Sequence, residues 1–359
     1  METTRSFVKP SLIFNTPNFY PQGAAPMTAN NRVIQTLRNE TVDRLPRSVS
    51  AAPENAADQW DIAEALFQRY PTDIMILDGR SENRGYCNLY QNKINLPEID
   101  FTADVNQLCD NNLFKVGIIE FSPWKEMLHL LESDSDEGFD DLLDRFERQL
   151  NPWVQSDLDA LCMVDPLSVN GEWDKEALNN MNDLTLFYEI FIGTLHEKDK
   201  FAFLDFGGRI FEIMPAVLKL APDAVACTMT PELAVSLSDY TAAFKAMSEQ
   251  PEGRRLTFWA DIPSEATEDK LWPEVKAYVQ SILTELNQGN KGLIARSVWE
   301  PGRKPNTVAF ATQAWEQGLP PPPPVTTSAS DVNASESAGS SAASASVSAT
   351  TSVACAAQA

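Results

Sequence analysis

LTFWADIPSEATEDKLWPEVKAYVQSILTELNQGNKGLIA, residues 256–295, is the stretch that decides the fold. Two short apolar runs, Leu256–Trp259 and Gly292–Ala295, flank a segment whose apolar side chains recur at helical spacing and which Gly289 closes. The recurring residues are Val275, Tyr278, Val279, Ile282, Leu283 and Leu286. This pattern predicts a strand, a helix and a second strand parallel to the first.

Six further runs of the same kind precede this unit. They are short, continuously apolar and bounded mostly by polar residues, Gly or Pro, which is typical of strands buried on both faces. Helical patterns lie between most of them. Eight strands that alternate with helices predict parallel pairing and one closed eight-stranded (β/α)8 TIM-type barrel of the α/β class. The six runs are Leu45–Ala51, Asp73–Leu77, Phe114–Ile119, Ala160–Val164, Phe201–Leu204 and Ala224–Thr228.

The two ends of the chain differ from this pattern. Residues 1–26 contain four prolines and no periodicity, so we expect a flexible N-terminal extension, and either Met1 or Met27 fits as the natural start. The barrel is predicted over 27–317. Residues 318–359 begin with a polyproline run and continue as Ser, Ala, Thr and Val, which predicts a disordered tail because little apolar area is available for burial. Alternatively, the prolines dock a partner.

Charge and cysteine content restrict the possible partners. The net charge of −23 disfavours nucleic acid and anionic membranes, which are polyanions. Five scattered cysteines without a CxxC pair predict free thiols in a reducing, cytoplasmic setting. No apolar run approaches the roughly 20 residues of a membrane span. We therefore expect a small-molecule substrate as the partner, and a homodimer is left open.

Charged residues follow most of the predicted strands. Reactive groups of a barrel project from the carboxyl ends of its strands, so these residues predict one site at the barrel mouth. Asp78, Asp165 and Asp205 are the candidate catalytic acids. The alternative is that individual acids cap helix N-termini. The candidate substrate-binding residues are Arg80, Arg84, Glu120, Asp261, Arg296 and Glu300.

Three segments carry a resemblance to a known family. NRVIQTLRNETVDRLP (31–46), GRIFEIMP (208–215) and RLTFWADI (255–262) resemble motifs of the uroporphyrinogen decarboxylase superfamily, and the resemblance covers roughly 27–317. It implies an eight-stranded barrel. It also implies either a decarboxylase that needs no cofactor or a zinc-dependent methyltransferase that acts with corrinoid proteins.

The sequence departs from both branches of that family. Ser48–Pro53 stands where the decarboxylases carry an arginine-rich loop, and Asp205-Phe206-Gly207 stands where the methyltransferases carry a His-x-Cys zinc pair. Without a thiolate, zinc is not expected, and no cofactor is implied. The resemblance thus implies a divergent, cofactor-independent decarboxylase, a lyase, acting on a tetrapyrrole-like or small anionic substrate. A corrinoid-linked methyltransferase relative and a non-catalytic binding or scaffold barrel remain alternatives.

Within the decarboxylase reading, two acids and two arginines have roles. Asp78 and Asp165 would orient or protonate the substrate, as a positioned acid does in general acid–base catalysis. Arg80 and Arg296 would hold its anionic group by bidentate hydrogen bonds.

Overall fold

The computed structural model describes fourteen stretches of the chain, and within them it has ten strands and seven helices. The stretches are 27–51, 60–78, 112–119, 121–132, 138–169, 172–173, 181–206, 213, 217, 219–229, 256–263, 266–286, 292–299 and 302–317. The predicted extension 1–26 and tail 318–359 lie outside them. The strands are β1 (Arg47–Ala51), β2 (Ile74–Asp78), β3 (Phe114–Ile119), β4 (Ala160–Val164), β5 (Ser168–Val169), β6 (Glu172–Trp173), β7 (Phe201–Asp205), β8 (Ala224–Thr228), β9 (Thr257–Asp261) and β10 (Leu293–Trp299). The helices are α1 (Ala29–Leu37), α2 (Trp60–Arg69), α3 (Pro123–Glu132), α4 (Phe139–Gln155), α5 (Met181–His196), α6 (Trp272–Leu286) and α7 (Pro305–Gln317).

Eight of the strands form one sheet in the order β1-β10-β9-β8-β7-β4-β3-β2, and each neighbouring pair is parallel. The two end strands, β1 and β2, also meet. The amide of Asp73 donates to the carbonyl of Arg47 at 2.8 Å, and the amide of Val49 donates to Thr72 Oγ1 at 3.2 Å. The predicted eight-stranded (β/α)8 barrel is therefore confirmed.

All eight predicted runs are strands, but two of them continue two or more residues beyond their predicted ends. β9 continues to Asp261, and β10 continues to Trp299 because its ladder with β1 runs up to the pair Ala51 and Trp299. Arg296 therefore lies inside a strand and not beyond its end. The structure also has a short antiparallel hairpin of β5 and β6, which was not predicted.

Side chains alternate between the two faces of the closed sheet, as the pleat of a strand requires. One set fills the barrel interior together with Val33 and Leu37 of α1, and the other set packs against the surrounding helices. The interior set includes Ile74, Ile76, Phe114, Val116, Ile118, Ala160, Cys162, Phe203, Ala224, Ala226, Trp259 and Ile294. Within the described residues, no helix is both long and apolar enough to cross a bilayer.

A buried ion cluster, the seam cluster, closes the barrel where β1 meets β2. The carboxylate of Asp73 accepts from Arg32 Nη1 at 2.6 Å, from Arg44 Nη1 and Nη2 at 2.6 and 2.8 Å, and from the amide of Arg47 at 3.0 Å. Arg32 Nε also donates to Asp43 at 2.6 Å. One carboxylate thus ties α1 and the segment before β1 to the start of β2.

Replacing Asp73 with Ala tests how much the seam cluster contributes to the free energy of unfolding. We expect Asp73→Ala to lower the free energy of unfolding by about 3–5 kcal/mol, because removing one partner leaves buried cations uncompensated. Lys304→Ala is the matched control, since Lys304 and Asp269 form an exposed pair 3.6 Å apart, and such pairs contribute about 0–1 kcal/mol. Urea denaturation measures both variants, and equal losses would contradict the account.

Candidate functional site

Three of the predicted site residues come together at the carboxyl ends of the strands. Asp205 ends β7, Asp261 ends β9, and Arg296 lies in β10 opposite Asp261. Arg296 Nη1 lies 3.5 Å from Asp205 Oδ2 across the barrel interior. Two carboxylates and one guanidinium therefore share the end of the barrel where reactive groups of this fold are carried.

Trp259 lies beneath the guanidinium of Arg296. The cation sits 4.8 Å from the centroid of the indole ring. The centroids of the Trp259 and Phe203 rings are 5.7 Å apart in the barrel interior. Stacking on an aromatic face attracts the cation and restricts the plane of the guanidinium. About a quarter of the side chain of Arg296, 23%, remains exposed. The group is therefore held in one orientation and is still accessible from the barrel mouth.

Two serines and an indole that the sequence analysis had not selected also belong to this region. Ser48 and Ser50 of β1 are fully buried, and the Cα register places Ser48 beside Arg296. In the described part of the chain, their hydroxyls and the Nε1 of Trp259 have no hydrogen-bond partner. The available signal was two polar residues at alternate positions of an otherwise apolar strand.

Asp165, a predicted catalytic acid, lies elsewhere. It follows Val164, which faces the interior, so the pleat places Asp165 on the outer side of the sheet. Its carboxylate accepts from the amide of Trp124 at 3.0 and 3.1 Å, from the hydroxyl of Tyr188 at 2.7 Å and from the hydroxyl of Ser122. The structure thus places Asp165 at the N-terminus of α3, as the capping alternative described.

Burial dominates the electrostatics of Asp165. Desolvation raises the pKa of its carboxyl to about 6, although hydrogen bonds from Ser122, Tyr188 and Trp124 act in the opposite direction. Burial also raises the pKa of the Tyr188 hydroxyl well above its usual value, and the adjacent Asp165 adds to that rise. The cluster is enclosed beneath α3 and α5.

The remaining predicted residues, or their side chains, lie outside the described part of the structure. Asp78 ends β2, where its backbone pairs with Ile118, but its side chain is outside the described part of the structure. Arg80, Arg84, Glu120 and Glu300 also lie outside the described residues. Their roles stay predictions.

Among the described residues, no group of three His, Cys, Asp or Glu side chains is arranged to hold a metal ion. Cys162 and Cys227 are buried free thiols. Burial, and then the charge of Asp205, raise the pKa of the Cys227 thiol far above its usual range, so it is protonated at neutral pH.

Two cavities lie away from the barrel mouth. One of about 750 Å³ is on the outer surface between α4 and α5, where Asp144, Glu147 and Arg148 line it. The other, of about 590 Å³, is at the amino ends of the strands beside His196 and Asp223, which contact each other at 2.8 Å. Neither contains the interior residues Asp205, Asp261 or Arg296 in its lining.

Comparison with protein-family models finds no match to this chain, and comparison with curated proteins finds none either. Solved structures do resemble it. A putative sugar phosphate isomerase/epimerase from Anabaena variabilis is 11% identical with a TM-score of 0.40, over 75% of this chain and 96% of that protein. A D-psicose 3-epimerase crystallised with D-fructose is 11% identical with a TM-score of 0.36, over 75% and 93%. Likenesses this distant carry no argument about function.

The raised pKa of Asp165 predicts a pH-dependent stability. Because the pKa is about 6 in the folded chain against an ordinary 3.8, the folded state binds the extra proton between these values. Stability from this group is therefore present below pH 4 and is lost as pH rises through 6, by about 3 kcal/mol. Asp165→Asn mimics the protonated acid and should remove that loss.

The measurement is the difference in unfolding free energy between Asp165→Asn and the parent chain at pH 4, 5, 6 and 7. It should grow in favour of the variant across this range. A difference that is constant, or that shrinks, would show that the hydrogen bonds from Ser122, Tyr188 and Trp124 outweigh burial and hold the carboxylate ionised.

Proposed function

We propose that this chain is an enzyme that acts on a small anionic substrate at the carboxyl end of the barrel. The observation that carries the proposal is the guanidinium of Arg296, stacked on Trp259 and facing Asp205. A guanidinium of fixed plane suits bidentate recognition of a carboxylate. In a chain of net charge −23, an anion is retained only where a local cation offsets the general repulsion.

The partial exposure of the ion pair supports a binding role for it. Arg296 and Asp205 have side chains 23% and 19% exposed, and their nearest charged atoms are 3.5 Å apart, which is longer than a charge-assisted hydrogen bond. The pair of Arg296 and Asp205 is therefore longer and more exposed than a fully buried ion pair. By contrast, Asp73 in the seam cluster is enclosed and held at 2.6 Å.

The reaction type that we propose is decarboxylation without a cofactor, as the resemblance implies. Arg296 would orient the carboxylate that leaves as CO2. The carbon that loses CO2 would then take a proton, and the described acids beside Arg296 that could supply it are Asp205 and Asp261. Solvent would return the proton to the acid, so that the substrate exchanges CO2 for H⁺.

A small substrate fits this site better than a tetrapyrrole with many carboxylates. Ser48 stands where the decarboxylases begin their arginine-rich loop, and it is a buried neutral residue here. Two described arginines lie at the carboxyl ends of β9 and β10, and the guanidinium of Arg303 is buried and donates to the backbone carbonyls of Val298 and Ile262. Arg296 is the one that stacks on Trp259 and faces Asp205. We place the protein in the cytoplasm, and the buried free thiols Cys162 and Cys227 support a reducing compartment.

Arg296 is the residue that tests the proposal. With a panel of small mono- and dicarboxylates, we expect ligands to raise the melting temperature of the parent chain. Arg296→Met should weaken that binding by about 10- to 100-fold, the loss of one charge-assisted interaction. Arg296→Lys should retain part of it, and Arg148→Met, on the exposed face of α4, should change nothing.

The reaction type is tested by measuring, with gas chromatography, the CO2 that is released from a bound acid. Binding that depends on Arg296 without turnover would contradict the lyase and favour a non-catalytic binding barrel. If Arg296→Met bound the panel as well as the parent chain does, the site itself would be misplaced.

A further inference from the structure

The polar groups on β1 and β9 point to a second part of the proposed site. Ser48 and Ser50 have 0% exposure, and Trp259 has 1%. The hydroxyls of both serines and the indole N–H have no hydrogen-bond partner among the described residues. Leaving a buried polar group unsatisfied costs about 1–3 kcal/mol. Three such groups in one barrel interior therefore call for a partner beyond the described residues of the chain.

The position of these groups relates them to Arg296. Val49 and Ala51 pack outward against Trp299 and Val308, so the alternate residues Ser48 and Ser50 face the barrel interior. The register places Ser48 beside Arg296 and Ser50 beside Val298. The indole lies directly under the guanidinium, 4.8 Å from it.

Small side chains line this side of the interior. β1 contributes the two serines, and β8 contributes Ala224 and Ala226, where barrels of this fold usually carry bulky branched residues. The interior beside Arg296 therefore has short side chains, and two of them carry hydroxyls.

The chemistry of the three groups selects the ligand. A serine hydroxyl both donates and accepts, whereas an indole N–H only donates, and none of them is charged. A neutral group that also donates and accepts, namely a hydroxyl, can pair with any of these groups. The three groups carry no charge and so do not favour a second carboxylate, and an alkyl group would leave all of them unsatisfied.

We propose that Ser48, Ser50 and Trp259 form a hydroxyl-binding subsite, and that the substrate is a hydroxylated carboxylic acid whose carboxylate binds Arg296. This inference rests on the proposed function, since it assumes that Arg296 holds the carboxylate. It adds specificity, because a site built to hydrogen-bond a hydroxyl discriminates strongly against an analogue that lacks it.

The test uses acids of matched charge and length that differ in their hydroxyls. Isothermal titration calorimetry would compare both enantiomers of tartrate with succinate, and glycerate with propionate. For the parent chain we expect the hydroxylated member of at least one pair to bind at least about tenfold tighter. In the double variant Ser48→Ala/Ser50→Ala, the hydroxylated acid should lose that advantage while the plain acid binds as before.

Two further variants separate binding from structure. Trp259→Phe removes the N–H and keeps a smaller aromatic ring beneath Arg296, so it should reduce the preference for the hydroxylated acid by a larger factor than it weakens binding of the plain acid. Ser281→Ala removes an exposed serine hydroxyl on α6 and should alter neither. The double serine variant should fold at least as stably as the parent chain, because no hydrogen bond within the described structure is lost.

Each outcome bears on one claim. Equal, Arg296-dependent binding of tartrate and succinate, or of glycerate and propionate, by the parent chain would overturn the subsite and leave the proposed function standing. A preference that persists in the double serine variant would also overturn it. A double variant that loses stability but not the preference would show that the serines hold interior water only. If no acid binds and Arg296→Met has no effect, the proposed function fails together with the subsite.

Discussion

The closure of the barrel between β1 and β2 is the constraint on which the rest of the structure depends. These strands are the two ends of the sheet, and Asp73 and Thr72 join them: the carboxylate of Asp73 accepts from Arg32, Arg44 and the amide of Arg47, and Thr72 accepts from the amide of Val49. An open sheet would leave β1 with one partner. It would also leave Ser48 beside Arg296 at an exposed edge and not inside an enclosed space. The seam cluster therefore helps to enclose the interior of the barrel.

Once the barrel is closed, the pleat of each strand decides which charged residues can act together. Asp205 and Asp261 are in phase with Phe203 and Trp259, so they face the interior. Asp165 is one residue out of phase and instead satisfies Trp124, Tyr188 and Ser122 beneath the helices. A shift of one residue along a strand thus separates a group at the mouth from a structural acid.

The sequence predicted the eight strands, their parallel pairing and the placement of Asp205 and Asp261 at strand ends, because buried strands and strand ends carry strong local signals. Arg296 was expected after the eighth strand and lies within it. It did not distinguish Asp165 from the other acids. Whether an acid after a strand faces the interior or the helices depends on which residues of that strand face the interior, and the sequence alone did not fix this. Ser48 and Ser50 were read as a departure from a family motif. Their significance depends on the absence of partners in the described structure, which is a three-dimensional property. The roles of Asp78, Arg80, Arg84, Glu120 and Glu300 stay predictions.

The central claim is that the anion-binding guanidinium of Arg296 and the uncharged polar groups of Ser48, Ser50 and Trp259 share the barrel mouth. A crystal structure of the protein soaked with tartrate measures this most directly, because it locates each oxygen. The account predicts one carboxylate on the guanidinium of Arg296 and a hydroxyl within hydrogen-bonding distance of Ser48 or Ser50. Tartrate bound only outside the barrel, with Ser48 and Ser50 hydrogen-bonded to water or to the chain itself, would contradict it.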